Sequence, residues 1–328
     1  MSVVVHASAR IHMGFYNFLT DGIAYGGLGA ALSQPSVVVR VSRLGGKGFD
    51  VVNRSGVDIS DCIDSVVKAF DLRGVGIEVL SAIPRHIGLG STTQMTLAIA
   101  YAASKLLGLG YGVRDIAVRL CRGRDSGIGV IAFERGGFIV DSGRRISESG
   151  KVLCPTSLED LPQPIFRAPI PRKWSFILFI QKMRRGFDEI GERRAMDVPT
   201  SLPKDIQHEL YKLVFLYMIP SILRRDIDVF GKALTRLQFV VGEYFSKYQG
   251  GIFCCEEAEA IVNTMLRHGV KGVGQSSWGP TVYGLVEGHA IAKRIAERVL
   301  KDVKSKGIEA EYMVVKASNR GAMVVMER

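Results

Sequence analysis

Residues 84–94 read PRHIGLGSTTQ and run directly into the apolar stretch MTLAIAYAASKLLG (95–108). Before them GIEVLSA (76–82) has the β-branched, alternating character of a strand, and the residues after them have helical spacing over about 91–108. The loop therefore joins a strand to the N-terminus of a helix of about four turns. The first N–H groups of a helix have no partner inside it, and the aligned peptide dipoles add partial positive charge there. Gly88 and Gly90 let the backbone approach an anion closely, and the hydroxyls of Ser91, Thr92 and Thr93 suit capping, phosphate binding or Mg²⁺ ligation. The spacing matches neither GxxxxGK[ST] nor GxGxxG, which excludes a P-loop and the dinucleotide fingerprint at this site. A serine-capped helix after a glycine turn fits the bare GLGS equally well.

Outward from the loop, VVVHA (3–7) and SVVVRVSR (36–43) read as strands, and DCIDSVVKAFDL (61–72) as a helix carrying Ile63, Val66, Val67 and Phe70. A second helix is predicted over about 114–122. GIGVIAF (127–133) and GGFIVDSG (136–143) read as two strands of a hairpin around Glu134, Arg135 and Gly136. Pro155, Pro162, Pro164, Pro169 and Pro171 interrupt the pattern, which predicts a lobe boundary dividing residues 1–165 from 166–328. A strand (SFILFIQK, 175–182) follows, then helical stretches near 203–222, 226–247 and 255–268. KGVGQ, TVYGLVE, a helix over about 289–303, EYMVVKAS and GAMVVMER close the chain. The fold class is α+β, with helices layered on mainly antiparallel sheets.

The chain has 328 residues, 47% of them hydrophobic and 23% charged, enough for a large two-lobed core. It contains no run of about 18 uncharged apolar residues, and MSVVVHASARIHMG lacks the pattern of a secretory leader, so a cytoplasmic location and no membrane partner are expected. Cys62, Cys121, Cys154, Cys254 and Cys255 are odd in number and show no CxxC spacing, so neither a disulfide framework nor a structural metal site is expected. Lys and Arg number 43 against 32 Asp and Glu, a net charge of +11. The arginines are scattered, with the sharper clusters at 184–185, 193–194 and 224–225 and no aromatic-basic stacking stretch. That pattern favours an anionic ligand without naming it, with the solubility charge of a basic proteome as the competing reading, and no nucleic-acid partner is expected.

PRHIGLGSTTQ resembles the phosphate loop of the GHMP superfamily of small-molecule kinases, Pro-x-x-x-Gly-Leu-Gly-Ser-Ser. ASARIHMGF (7–15) stands where that superfamily has its N-terminal substrate motif, and VGQSSWGPTVYGL (273–285) resembles its C-terminal glycine-rich loop. The resemblance implies a two-lobed fold with a ribosomal-protein-like N-terminal lobe and a ferredoxin-like C-terminal lobe. Many such kinases carry a catalytic aspartate in Ser-Gly-Ile-Asp; here the stretch is Ser126-Gly127-Ile128-Gly129. Homoserine kinases also work without that base, so an ATP-dependent kinase stands as the alternative, with Asp125 or Asp141 as substitutes.

RIHMG (10–14), YGGLGAAL (25–32), HIGLGSTTQMTLAIA (86–100), the segment 122–143 and GQSSWGPTVYGL (274–285) more closely resemble the beta-ribofuranosylaminobenzene 5'-phosphate synthase family of methanopterin biosynthesis. Two stretches depart from its pattern, Gly22-Ile23-Ala24 and the segment 187–192. The resemblance implies transfer of a phosphoribosyl group from 5-phosphoribosyl 1-diphosphate to 4-aminobenzoate or 4-hydroxybenzoate, with release of diphosphate and CO₂, and a homodimer. It implies that Gly88, Gly90, Ser91, Thr92, Thr93 and Gln94 hold the diphosphate with Mg²⁺. Arg10, Lys182, Arg184 and Arg185 would hold the 5'-phosphate or the carboxylate. His12 and His86 would donate to the leaving group or to the ring substituent, although lone histidines are more often structural than catalytic. Gln275, Ser276, Ser277 and Trp278 would form a substrate-binding loop, with Trp278 either walling the aromatic ring or filling core. Asp125, Asp141 and Ser91 are the candidate Mg²⁺ ligands; helix capping or a surface turn is the competing reading of the aspartates.

Overall fold

The two β-branched runs expected at 3–7 and 36–43 belong to one long antiparallel hairpin, β1 (Ser2–Thr20) with β2 (Ile23–Arg43). Its register shifts between Ser8 and Arg10 and again between His12 and Phe15. Such bulges turn side chains out of the regular alternation, and here they stand at Arg10 and His12. The computed structural model describes residues 1–46, 48–181 and 189–327.

After β2 come β3 (Phe49–Asn53), α1 (Ser60–Phe70), β4 (Val75–Ser81), α2 (Ser91–Leu107), α3 (Val113–Arg119) and α4 (Ile128–Arg135). Then follow β5 (Phe138–Asp141), β6 (Arg144–Arg145) and β7 (Pro164–Ala168). The second half runs β8 (Trp174–Gln181), α5 (Glu189–Met196), α6 (Lys204–Tyr211), a π-helical segment (Lys212–Met218), α7 (Ile219–Arg224), α8 (Ile227–Gln249) and α9 (Glu256–Arg267). It closes with β9 (Gly272–Gln275), β10 (Val282–Glu287), α10 (His289–Lys304), β11 (Ala310–Val315) and β12 (Met323–Glu327).

The first sheet has the order β12-β1-β2-β4-β3, with β5 and β6 on β2 and β7 on β5; the second is β11-β8-β10-β9. Every pairing is antiparallel except β3 with β4. The chain changes sheets between β7 and β8, so residue 165 falls inside β7, and β12 returns to the first sheet. α2 is apolar on most of its circumference, with Leu97, Ala98, Ile99, Ala102 and Ala103 fully or almost fully buried against the first sheet. Each such burial of a Leu or Ile contributes about 1.5–3 kcal/mol, which fixes the helix that carries the loop. In the second lobe Ile177, Phe179 and Val282 of the sheet meet Ile261, Val262 and Met265 of α9 and Ala292, Ala296 and Val299 of α10.

Two expectations fail. Residues 128–135 are helix α4 and only 138–141 form a strand. Ile128, Val130, Ile131, Ala132 and Phe133 are all buried, so the segment has no polar face, and a short apolar run without periodicity does not distinguish strand from helix. Gly129 decides the packing, because a Cβ there would lie 3.1 Å from Thr93, where α4 crosses α2. Gly136, at φ +63, ends the helix, its N–H bonded to the Ala132 carbonyl. The second failure concerns cysteine: Cys121 and Cys154 form a disulfide, their Cα atoms 5.1 Å apart. The partners lie 33 residues apart with no spacing signature, and the odd count hid the pair. Cys62, Cys254 and Cys255 take part in no disulfide.

Candidate functional site

The 84–94 loop opens α2 without any side-chain cap. Gly90 occupies the N-cap position at φ +80, and the helix begins with no side-chain hydrogen bond to its first amides. The hydroxyl-bearing residues Ser91, Thr92 and Thr93 instead line a cleft that opens to solvent.

The loop is tied down at one carbonyl. Gly88 O accepts from an Arg10 guanidinium N–H at 2.7 Å and from Ser276 Oγ at 2.6 Å. The Arg10 backbone N–H donates to Leu89 O at 3.1 Å. Gly88 has φ +78, and a Cβ on it would lie 2.2 Å from Ser276 O, so the approach of the 275–279 loop admits only glycine. Ser276, fully buried, also accepts the backbone N–H of His12 at 3.0 Å. It thus joins β1, the α2 loop and the loop after β9.

His12 is buried, and its Nδ1 accepts the Gly14 N–H at 3.1 Å while its Nε2 lies 2.9 Å from Ser126 Oγ. Burial, reinforced by the Arg10 charge, pushes its pKa down to about 3. The ring is therefore neutral, with its single proton on Nε2. Asp125 lines the cleft and pairs with Arg124 at 2.9 Å, while Arg124 also grips Asp197 and donates to Val152 O at 3.0 Å. Arg122 and half-buried His86, the latter at φ +58, add basic side chains to the lining.

An aromatic group completes the cleft. Trp278 packs edge-on to Phe245 of α8 with centroids 4.8 Å apart, and Phe245 lies 6.2 Å from Phe15. Gln238 of α8 fixes this region by donating to Met13 O at 2.7 Å and accepting the Gln275 N–H at 2.8 Å. Gln275 holds the Cys254 N–H at 2.7 Å and donates to Ser277 O at 3.1 Å.

Residues 58–137 match the family model for the GHMP kinases N terminal domain, and 218–305 that for GHMP kinases C terminal. A beta-ribofuranosylphenol 5'-phosphate synthase from Archaeoglobus fulgidus is 33% identical over 330 residues, covering 96% of this chain and 97% of that protein. The chain belongs to this synthase family. A relative of the same name from Methanothermobacter thermautotrophicus is 27% identical over 99% of both chains. Solved structures give the fold alone. A homoserine kinase from Cytophaga hutchinsonii superposes with TM-score 0.67 at 18% identity, covering 99% of this chain and 97% of that one. A mevalonate diphosphate decarboxylase from Staphylococcus aureus gives 0.64 at 15%, covering 99% and 98%. The resemblance read from the sequence named the aminobenzene product; these relatives carry the phenol name.

Against this family frame, Arg10, His12, His86, Gly88, Gly90, Ser91, Thr92, Thr93, Asp125, Gln275, Ser277 and Trp278 come together at one cleft. Lys182, Arg184 and Arg185 lie outside the described residues. Three expectations are corrected. Asp141 is fully buried, and its carboxylate accepts the N–H groups of Gly27 at 2.8 Å and of Gly127 and Gly143 at 2.9 Å. Its lone pairs serve the backbone rather than a metal, and burial pushes its pKa up to about 6 against those bonds. Gln94 is fully buried and donates to Gly129 O at 2.9 Å, bracing α2 on α4 instead of meeting phosphate. Ser276 clamps the loop from behind and does not line the cleft. Trp278 is 7% exposed and part of the cleft lining. Sequence reasoning missed Phe15, Arg122, Ser126, Gln238 and Phe245. Phe15 ends the ASARIHMGF motif and Arg122 and Ser126 stand in the 122–143 segment, whereas Gln238 and Phe245 lie on a helix whose spacing signals only core.

Proposed function

We propose that the protein is a decarboxylating phosphoribosyltransferase, a pentosyltransferase acting in a methanopterin-type pathway. It joins 5-phosphoribosyl 1-diphosphate to 4-hydroxybenzoate and releases diphosphate and CO₂. The observation that carries this reading is the pairing, in one cleft, of an uncapped hydroxyl-rich helix start with the Phe15, Phe245 and Trp278 aromatic group. The phenol name of the relatives supports hydroxyl over amino as the ring substituent.

The chemistry asks for positioning rather than for a strong base. As the C1–O bond to diphosphate breaks, both electrons leave with the oxygen and the sugar becomes oxocarbenium-like. The ring carbon bearing the carboxylate attacks C1, assisted by the para hydroxyl. The C–CO₂ bond then breaks, its electrons restore the ring, and CO₂ departs. The amides and hydroxyls of residues 90–93 lie where a leaving diphosphate gains most from partial positive charge. Arg10, Arg122 and His86 supply further donors, and the aromatic group holds the ring and excludes water.

Mg²⁺ fits this donor set. Ser91 and Asp125 offer hard oxygen ligands in the cleft, and Mg²⁺ commonly binds through one or two protein groups plus substrate phosphates. Its contribution would be to neutralise charge on the diphosphate. The same reading makes the protein a homodimer, which sedimentation velocity tests. Product analysis tests the reaction: protein, Mg²⁺, 5-phosphoribosyl 1-diphosphate and 4-hydroxybenzoate should give a phosphoribosyl phenol whose carbon–carbon glycosidic bond survives hot acid. An acid-labile O-riboside, or an ATP-dependent phosphoryl product instead, would overturn it.

A further inference from the structure

We infer that Ser126 is a one-way hydrogen-bond donor to an anionic oxygen of the substrates, either a diphosphate oxygen or the carboxylate of the aromatic acid. The identity of those two anions rests on the proposed reaction; the donor itself rests on proton accounting. A neutral imidazole carries one N–H. Because Nδ1 of His12 accepts the Gly14 N–H at 3.1 Å, that proton is on Nε2, and Nε2 lies 2.9 Å from Ser126 Oγ. His12 therefore donates and Ser126 accepts. The Ile128 N–H, in the first turn of α4, donates to the same oxygen at 3.2 Å. A hydroxyl has two lone pairs and one proton. Both lone pairs of Ser126 are occupied, and among the described residues none accepts its proton. The side chain lines the cleft.

One feature prevents the bond from reversing. The Gly14 amide holds the His12 tautomer, so His12 cannot accept from Ser126. Ser126 thus discriminates for groups that only accept, such as carboxylate and phosphate oxygens, and His12 is its positioning residue. This replaces the direct donation expected of His12.

Isothermal calorimetry tests the assignment without turnover. Mg²⁺-diphosphate, and 4-hydroxybenzoate in the presence of saturating Mg²⁺-diphosphate, are titrated into wild type, Ser126→Ala, Ser126→Thr and Ser126→Cys. Loss of a hydrogen bond to a charged group predicts that Ser126→Ala weakens one of the two anions about 10- to 100-fold and leaves the other within about threefold; Ser126→Thr restores it. The anion that weakens is the one the hydroxyl touches. Should Ser126→Ala not fold, Ser126→Cys, which keeps the shape and replaces the hydroxyl with a weak donor, carries the same expectation. Wild-type affinity for both anions in the alanine or cysteine variant overturns the donor and leaves the reaction standing. Wild-type protein that binds both anions, loses one on Ser126→Ala and yet releases no CO₂ overturns the reaction and leaves the donor.

Discussion

Replacing Ser276 with alanine separates the clamp behind the 84–94 loop from the groups that face the cleft. The side chain is fully buried and makes two bonds, donating to Gly88 O at 2.6 Å and accepting the His12 N–H at 3.0 Å. The first is a neutral hydrogen bond worth about 1 kcal/mol net. Removing the acceptor of the second strands a buried N–H, which costs about 1–3 kcal/mol. Ser276→Ala should therefore lower unfolding free energy by about 2–4 kcal/mol. Gly88 would then be held by Arg10 alone, and binding of Mg²⁺-diphosphate should weaken about tenfold because part of the binding energy goes to ordering the loop. Urea unfolding gives the first number and calorimetry the second. Ser277→Ala is the control, since its hydroxyl bonds none of the described residues, and it should change stability by less than about 0.5 kcal/mol. A Ser276→Ala protein within about 0.5 kcal/mol of wild type, with unchanged diphosphate affinity, would refute the clamp.

Three further outcomes are expected. The unfolded chain takes up a proton at His12 near pH 6.5 and the native chain only near about 3, so this residue lowers stability progressively as pH falls from 6.5 toward 3. His12→Gln should flatten that part of the stability curve, and the native His12 ring should show no NMR titration above about pH 5; a native midpoint near 6.5 would contradict this. Denatured, unreduced protein should titrate three thiols and reduced protein five. Cys154→Ser should cost about 4 kcal/mol by loop-entropy reasoning, read from the denaturant midpoint, and five thiols without reductant would refute the bond. Trp278→Ala should weaken 4-hydroxybenzoate about tenfold while leaving Mg²⁺-diphosphate affinity within about twofold, and equal loss of both would assign Trp278 to the core alone.

The loop at 84–94 and the helix it opens were legible because their pattern is local. Two glycines, three hydroxyls and a following apolar stretch specify a turn into a helix without reference to the rest of the chain, and the structure leaves that helix start uncapped. What the sequence withheld is direction. Asp141 ends a strand and is followed by Ser and Gly, as a surface turn or a ligand would be, and nothing local reveals that three amides converge on it. Gln94 follows the hydroxyls directly, but one further step around the helix turns it from the cleft into the α2–α4 contact. α4 was misread because it is buried on every side, so its apolar run carries no period. Phe245 and Gln238 reach the cleft only because α8 packs against β9, where Gly231 and Gly272 let the two backbones meet. That is a tertiary fact, written at positions that read as ordinary helix.

The most direct test of the proposed reaction is release of ¹⁴CO₂ from carboxyl-labelled 4-hydroxybenzoate and 4-aminobenzoate, with and without 5-phosphoribosyl 1-diphosphate. Release that requires the phosphosugar, equals the diphosphate formed, and runs faster from 4-hydroxybenzoate is the predicted result. Folded protein that binds the phosphosugar and releases no CO₂ from either acid would contradict it.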